Sequence, residues 1–170
     1  MSDTEMQKAA EAMGAGDFSA AMEIFDALRE AEPENAEVHF GWADAAFMRL
    51  TIDMEEDAPA ALIMRAYKQA MALDEENLEY VAGFAGFCLD CGRLPMAVKE
   101  YDRLKLMAEL QDVDVNDMLY EAAARLIEAV ERLDRNAPMA QPLLKNALLW
   151  ALSGLGFSVE DAIELLSSDE

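Results

Sequence analysis

The chain is short of positive charge. It carries 13 Lys and Arg against 35 Asp and Glu in 170 residues, a formal net charge of −22. That balance counts against nucleic acid as a partner, because phosphate contacts need clustered basic side chains. Anionic membrane surfaces are disfavoured for the same reason. Histidine is nearly absent: His39 stands alone, so a set of nucleophile, base and orienting group is hard to assemble. With only two cysteines, Cys88 and Cys91, there is no disulfide framework, and a zinc site would need two further ligands that no spacing picks out. No glycine-rich phosphate loop appears, since GFAG at 83–86 lies inside a helical pattern and lacks the P-loop lysine. The acidic stretch Asp53, Glu55, Glu56 and Asp57 lacks the glycine and spacing of a calcium loop. The longest uncharged apolar run, 146–159, is too short and too interrupted by glycine to cross a bilayer. The N-terminus, MSDTEMQKAAEAM, has neither the basic start nor the apolar run of a signal peptide, which sets the expectation of a cytoplasmic protein. Taken together, these absences predict a chain with no cofactor, no metal and no catalytic residues.

What is present is apolar sequence at helical spacing. Hydrophobic residues make up 54% of the chain, enough to offset the entropy of ordering it, and no run alternates as a half-buried strand does. The pattern predicts an all-α fold. Ser2 with Glu5 reads as a capping box opening a helix that stops near Gly14 and Gly16. A second helix is expected over 18–31, ended by Pro33, and a third from Asn35 to about Leu50. A fourth is expected over 59–73, a fifth from Asn77 to Gly92 and a sixth over 94–110. An amphipathic helix is expected over 116–133, with Glu121–Arg125 and Glu128–Arg132 paired across one turn. Beyond it, the 142–155 segment is apolar on all sides, and a short helix capped by Ser158 and Asp161 covers 159–166.

The first six helices repeat. Asp3, Met6, Ala9, Ala10 and Met13 answer to Glu37, Phe40, Ala43, Asp44 and Phe47 at an offset of 34, and those to Glu79, Ala82, Ala85, Gly86 and Leu89 at 42. In the second helices Ala21, Phe25 and Leu28 answer to Ile63, Tyr67 and Ala70 at 42, and those to Ala97, Tyr101 and Leu104 at 34. One eight-residue insertion, at about 51–58, explains every offset. The 34-residue helix-turn-helix period, with a small residue four before an aromatic and proline eight after it (Ala21, Phe25, Pro33), resembles the tetratricopeptide repeat family. The second unit departs from the pattern, with Ile63 for the small residue, and Glu75 and Glu109 replace the proline in the later units. The resemblance implies a right-handed superhelical stack of three hairpins over 1–110, with the helices of 111–170 capping it in the same domain.

It also implies a concave, non-catalytic binding groove lined by the first helix of each hairpin. Carried onto this chain, that groove is Met6, Ala10, Met13, Glu37, Phe40, Asp44, Phe47, Glu79, Ala82, Gly86, Leu89 and Asp90. Its rim residues Asp3, Glu37 and Glu79 are acidic, where family members that clamp acidic tails carry Lys, Arg and Asn. The expected ligand is therefore a protein segment, apolar with basic character, held by an adaptor. Gly83 and Gly86 either leave a pocket in this groove or let helices pack closely. The alternative function is a small acidic chaperone resembling the tetratricopeptide chaperones of type III secretion, although the long segment those carry before their first repeat is missing here. The 142–155 helix either fills the groove or pairs with a second copy in a homodimer. Cys88 and Cys91 fall in the last turns of a helix, where partial negative charge disfavours a thiolate, and read as packing residues.

Overall fold

The computed structural model describes residues 2–56, 58–132 and 140–167. Among the described residues there are nine α-helices and no strand. They are α1 (Ser2–Gly14), α2 (Phe18–Ala31), α3 (Ala36–Thr51), α4 (Ala60–Leu73), α5 (Leu78–Asp90), α6 (Leu94–Gln111), α7 (Asn116–Glu131), α8 (Ala140–Gly154) and α9 (Val159–Ser167). Local chemistry sets the ends. Asp17 Oδ1 accepts from the Ala20 N–H at the start of α2, Asn35 Oδ1 from Glu37 at α3 and Asn77 Oδ1 from Glu79 at α5, each at 3.1 Å. Gly92, with a φ of 71°, closes α5 in the left-handed conformation while the Arg93 N–H reaches back to the Cys88 carbonyl. The reciprocal cap of α9 forms as expected, with the Asp161 N–H on Ser158 Oγ at 3.0 Å and the Ser158 N–H on Asp161 Oδ2 at 3.3 Å. At the other end of the chain the Ser2 side chain lies outside the described residues, and Glu5 is engaged by Lys8 at 2.7 Å. Leu133 and Asp57 also lie outside them.

The chain divides into two compact units, 1–84 and 85–170, and the division falls within α5. In the first unit α1 packs on α2, α2 on α3 and α3 on α4. The repeated positions of the second helices are its core: Ala21, Phe25, Leu28, Ile63, Tyr67 and Ala70 are all buried. The aromatic of each second helix meets a glycine of the helix that follows. A Cβ added to Gly41 would lie 2.3 Å from Cζ of Phe25, and one added to Gly83 would lie 3.3 Å from Tyr67 and 2.7 Å from Phe40. Gly83 thus serves close packing: Phe40 and Tyr67 occupy the space beside it.

In the second unit α6 and α7 both pack on α8, and α8 on α9. Ala97, Tyr101 and Leu104 of α6 are buried, as their counterparts are in the first unit. Tyr101 stacks on Trp150 at 5.7 Å, and Trp150 donates its indole N–H to Asp102 at 2.5 Å. The all-round apolar character of α8 follows from having three helical neighbours. One expected ion pair is replaced: Arg125 binds Asp90 at the C-terminal end of α5 instead of Glu121 on its own helix. The pairing ties α7 to α5, which an exposed contact one turn away could not do. Arg132 does lie near Glu128, at 3.7 Å.

These glycines separate two outcomes. Gly41→Ala gains about 1 kcal/mol of helix propensity but must displace a buried ring, an overpacking cost of about 1–3 kcal/mol. It lowers the urea midpoint. Gly86→Ala, whose Cβ would meet only the Tyr101 hydroxyl at 3.9 Å, raises stability by about 1 kcal/mol.

Candidate interaction face

Within the first unit, α3 and the start of α5 bring several of the expected groove residues together. Phe40, half-buried, stacks on Tyr80 with ring centroids 4.7 Å apart and meets Tyr67 edge-on at 5.8 Å. Asp44, half-buried one turn further along α3, accepts a hydrogen bond from the Tyr67 hydroxyl at 3.4 Å. Glu37 and Glu79 are both exposed in the first turns of their helices, where the helix dipole favours a carboxylate. Their charges converge on one place. The Tyr80 phenol is pushed up from its ordinary value, first by burial and then by the carboxylates of Glu37, Asp74 and Glu79. The Asp44 carboxyl is also held above its ordinary range, mainly by burial, with Glu79 adding and the Tyr67 bond opposing.

The remaining expected residues are placed differently. Met6 and Met13 are half-buried on α1 and Ala10 is exposed there, while Ala82 is half-buried on α5. Phe47 is buried in the core and offers no surface to a ligand. In the second unit Leu89 is buried, Gly86 is half-buried and Asp90 is held by Arg125. Sequence reasoning missed Tyr80 and Asp74. Tyr80 stands 42 residues after Val38, a fully buried core position, so its register marks it as packing. Only the length and hydroxyl of tyrosine hint that it reaches a charged rim.

The cysteines sit as packing residues do. Cys88 is fully buried, and the half-buried Cys91 thiol is pushed up by burial and by Asp90, with Arg93 opposing. Among the described residues no cluster of three or more His, Cys, Asp or Glu side chains is arranged to hold a metal ion. Nor, among them, is any helix long and apolar enough to cross a membrane.

No protein-family model and no curated protein matches the chain. Among solved structures, a crystal structure of MamA protein matches at a TM-score of 0.59 and 15% identity, covering 98% of this chain and 88% of that one. A second crystal structure of MamA matches at 0.55 and 16%, covering 92% and 88%. MamA is a tetratricopeptide-like, all-helical protein, and the likeness shows that this chain has a fold of that kind.

Two measurements follow from these environments. Because folding favours the protonated form of Asp44, its contribution is stabilising below the ordinary value of 3.8 and is lost as pH rises through the folded value. Asp44→Asn, which keeps an acceptor for Tyr67, is therefore more stable than the parent near neutral pH in denaturant titrations, and the gap closes in acid. In iodoacetamide labelling of the folded protein at neutral pH, Cys91 reacts more slowly than a free thiol and Cys88 reacts only after unfolding.

Proposed function

We propose that the chain is a non-catalytic adaptor that captures an apolar, basic segment of a partner protein on the α1, α3 and early α5 face of its first unit. Met6, Ala10, Met13, Phe40 and Ala82 supply apolar surface, and Glu37, Asp44 and Glu79 supply charge. The observation that carries this reading is the convergence of the Glu37, Asp74 and Glu79 carboxylates on the stacked Phe40–Tyr80 pair. A lysine or arginine fits such a place, because its stem lies on aromatic faces while its charge meets carboxylates. The net charge of −22 steers a basic segment inward and turns an acidic one away. The tetratricopeptide-like fold supports a partner that is a protein. In this reading α1 to α6 are three repeat hairpins, and the later helices cap them.

Phe40 also packs against Tyr80 and Gly83, so truncating it would confound binding with stability. The exposed carboxylates make the cleaner test. An amphipathic helical peptide with Leu at every third or fourth position and Lys between binds the folded protein in fluorescence anisotropy, whereas its Leu and Glu counterpart does not. The double change Glu37→Lys and Glu79→Lys weakens binding by about tenfold or more, while the circular dichroism spectrum is unchanged and the melting temperature falls only slightly, as expected for lysine in two first helical turns. Equal affinity for both peptides, or full binding by the double variant, would remove the proposal. One-to-one suppression of a client's aggregation, without peptide binding, would favour the chaperone alternative.

A further inference from the structure

The second unit exposes two helical surfaces of matching chemistry. On α6, residues 99, 103, 106 and 110 fall on one stripe, because residues three and four apart share a helix face. Leu106 is 61% exposed and Leu110 89%, and Val113 just beyond the helix is exposed as well. A single surface leucine is ordinary, but two in line, one turn apart, form a small apolar patch. The same stripe begins with exposed Lys99 and with Arg103, which also lies 3.8 Å from Glu100. Exposed Asp102, which accepts from Trp150, and exposed Glu109 border one side of it. Two basic residues of a strongly acidic chain thus share a helix stripe with exposed leucine, on a helix whose own charges balance, with Lys99, Arg103 and Lys105 against Glu100, Asp102 and Glu109.

The complementary surface is α9. Ala162 is buried, while Val159 and Ile163, and Phe157 two residues before the helix, are exposed, Val159 by 53%. Glu160, Asp161 and Glu164 flank them, and α9 carries no basic residue. At a net charge of −22 most surfaces of this chain repel another copy. The α6 stripe is where an acidic, apolar helix meets charge of the opposite sign.

We propose that α9 of one copy docks on the α6 stripe of a second copy, and the reverse, in a two-fold dimer. Closed symmetry makes the contact twice and covers both apolar surfaces, and leaves no sticky end to propagate. Val159 and Ile163 lie against Leu106 and Leu110, with Glu160 and Glu164 toward Lys99 and Arg103. This interface is separate from the peptide-capturing face, which belongs to the first unit, and it uses α6 and α9 instead of the 142–155 helix.

Sedimentation velocity of the full chain across a concentration series tests it. The expected result is a concentration-dependent dimer. Leu110→Glu, at an exposed position, weakens association by about tenfold or more without changing the circular dichroism spectrum. Lys99→Glu weakens it too, and adding Glu164→Lys restores it. A monomer at every concentration overturns the proposal. So does a dimer that survives both Leu110→Glu and Lys99→Glu, which would place the self-contact elsewhere, as on α8. Failure of the charge swap to restore association removes α9 as the occupant.

Discussion

The first unit depends on one steric arrangement: a bulky ring standing over a residue with no side chain. Phe25 takes the room that a Cβ would need at Gly41, and Tyr67 and Phe40 do the same at Gly83. Helices approach closely there, and the loss of helix propensity at each glycine, about 1 kcal/mol, is offset by the burial of an aromatic ring. Ala21 and Ile63, one turn before the rings, are buried beside them. The rest of the unit is arranged around these contacts. They fix which side of α3 and α5 faces inward, and so decide that Glu37, Glu79 and part of Phe40 face outward together.

Electrostatics then works on a surface that packing has already oriented. Burial alone would push up the Asp44 and Tyr80 groups, and neighbouring carboxylates push in the same direction. Charges of one sign are thus held close together at an aromatic surface. That repulsion is modest in water, because exposed charges are screened within about 8–10 Å. On α6, by contrast, two lysines and an arginine are interleaved with Glu100, Asp102 and Glu109, and no single sign prevails.

Most helix boundaries could be read from residues whose chemistry acts locally. Asn35 and Asn77 cap, Gly92 stops a helix, and the 34 and 42 offsets pick out buried positions because a packed repeat tolerates few substitutions of size. The candidate face was less legible. Phe40 looked like a groove residue by register, yet it also fills the notch at Gly83, a contact between segments that periodicity cannot pair. Phe47 and Leu89 shared the same register and proved to be core. Arg125 had an acidic neighbour one turn away on its own helix and took Asp90 on another, because the choice depends on where α5 ends in space. The surroundings of α8 were likewise beyond sequence: an all-round apolar helix declares that it needs neighbours without saying which.

The aromatic and its glycine lie on different hairpins, sixteen residues apart in both cases, from Phe25 to Gly41 and from Tyr67 to Gly83. A cut made between α2 and α3, the obvious place to separate one hairpin from the next, would part a bolt from its socket. The piece that keeps ring and glycine together runs from a second helix through the first helix of the following hairpin. In this chain the unit of sequence repetition and the unit of mechanical fit are therefore offset by half a hairpin.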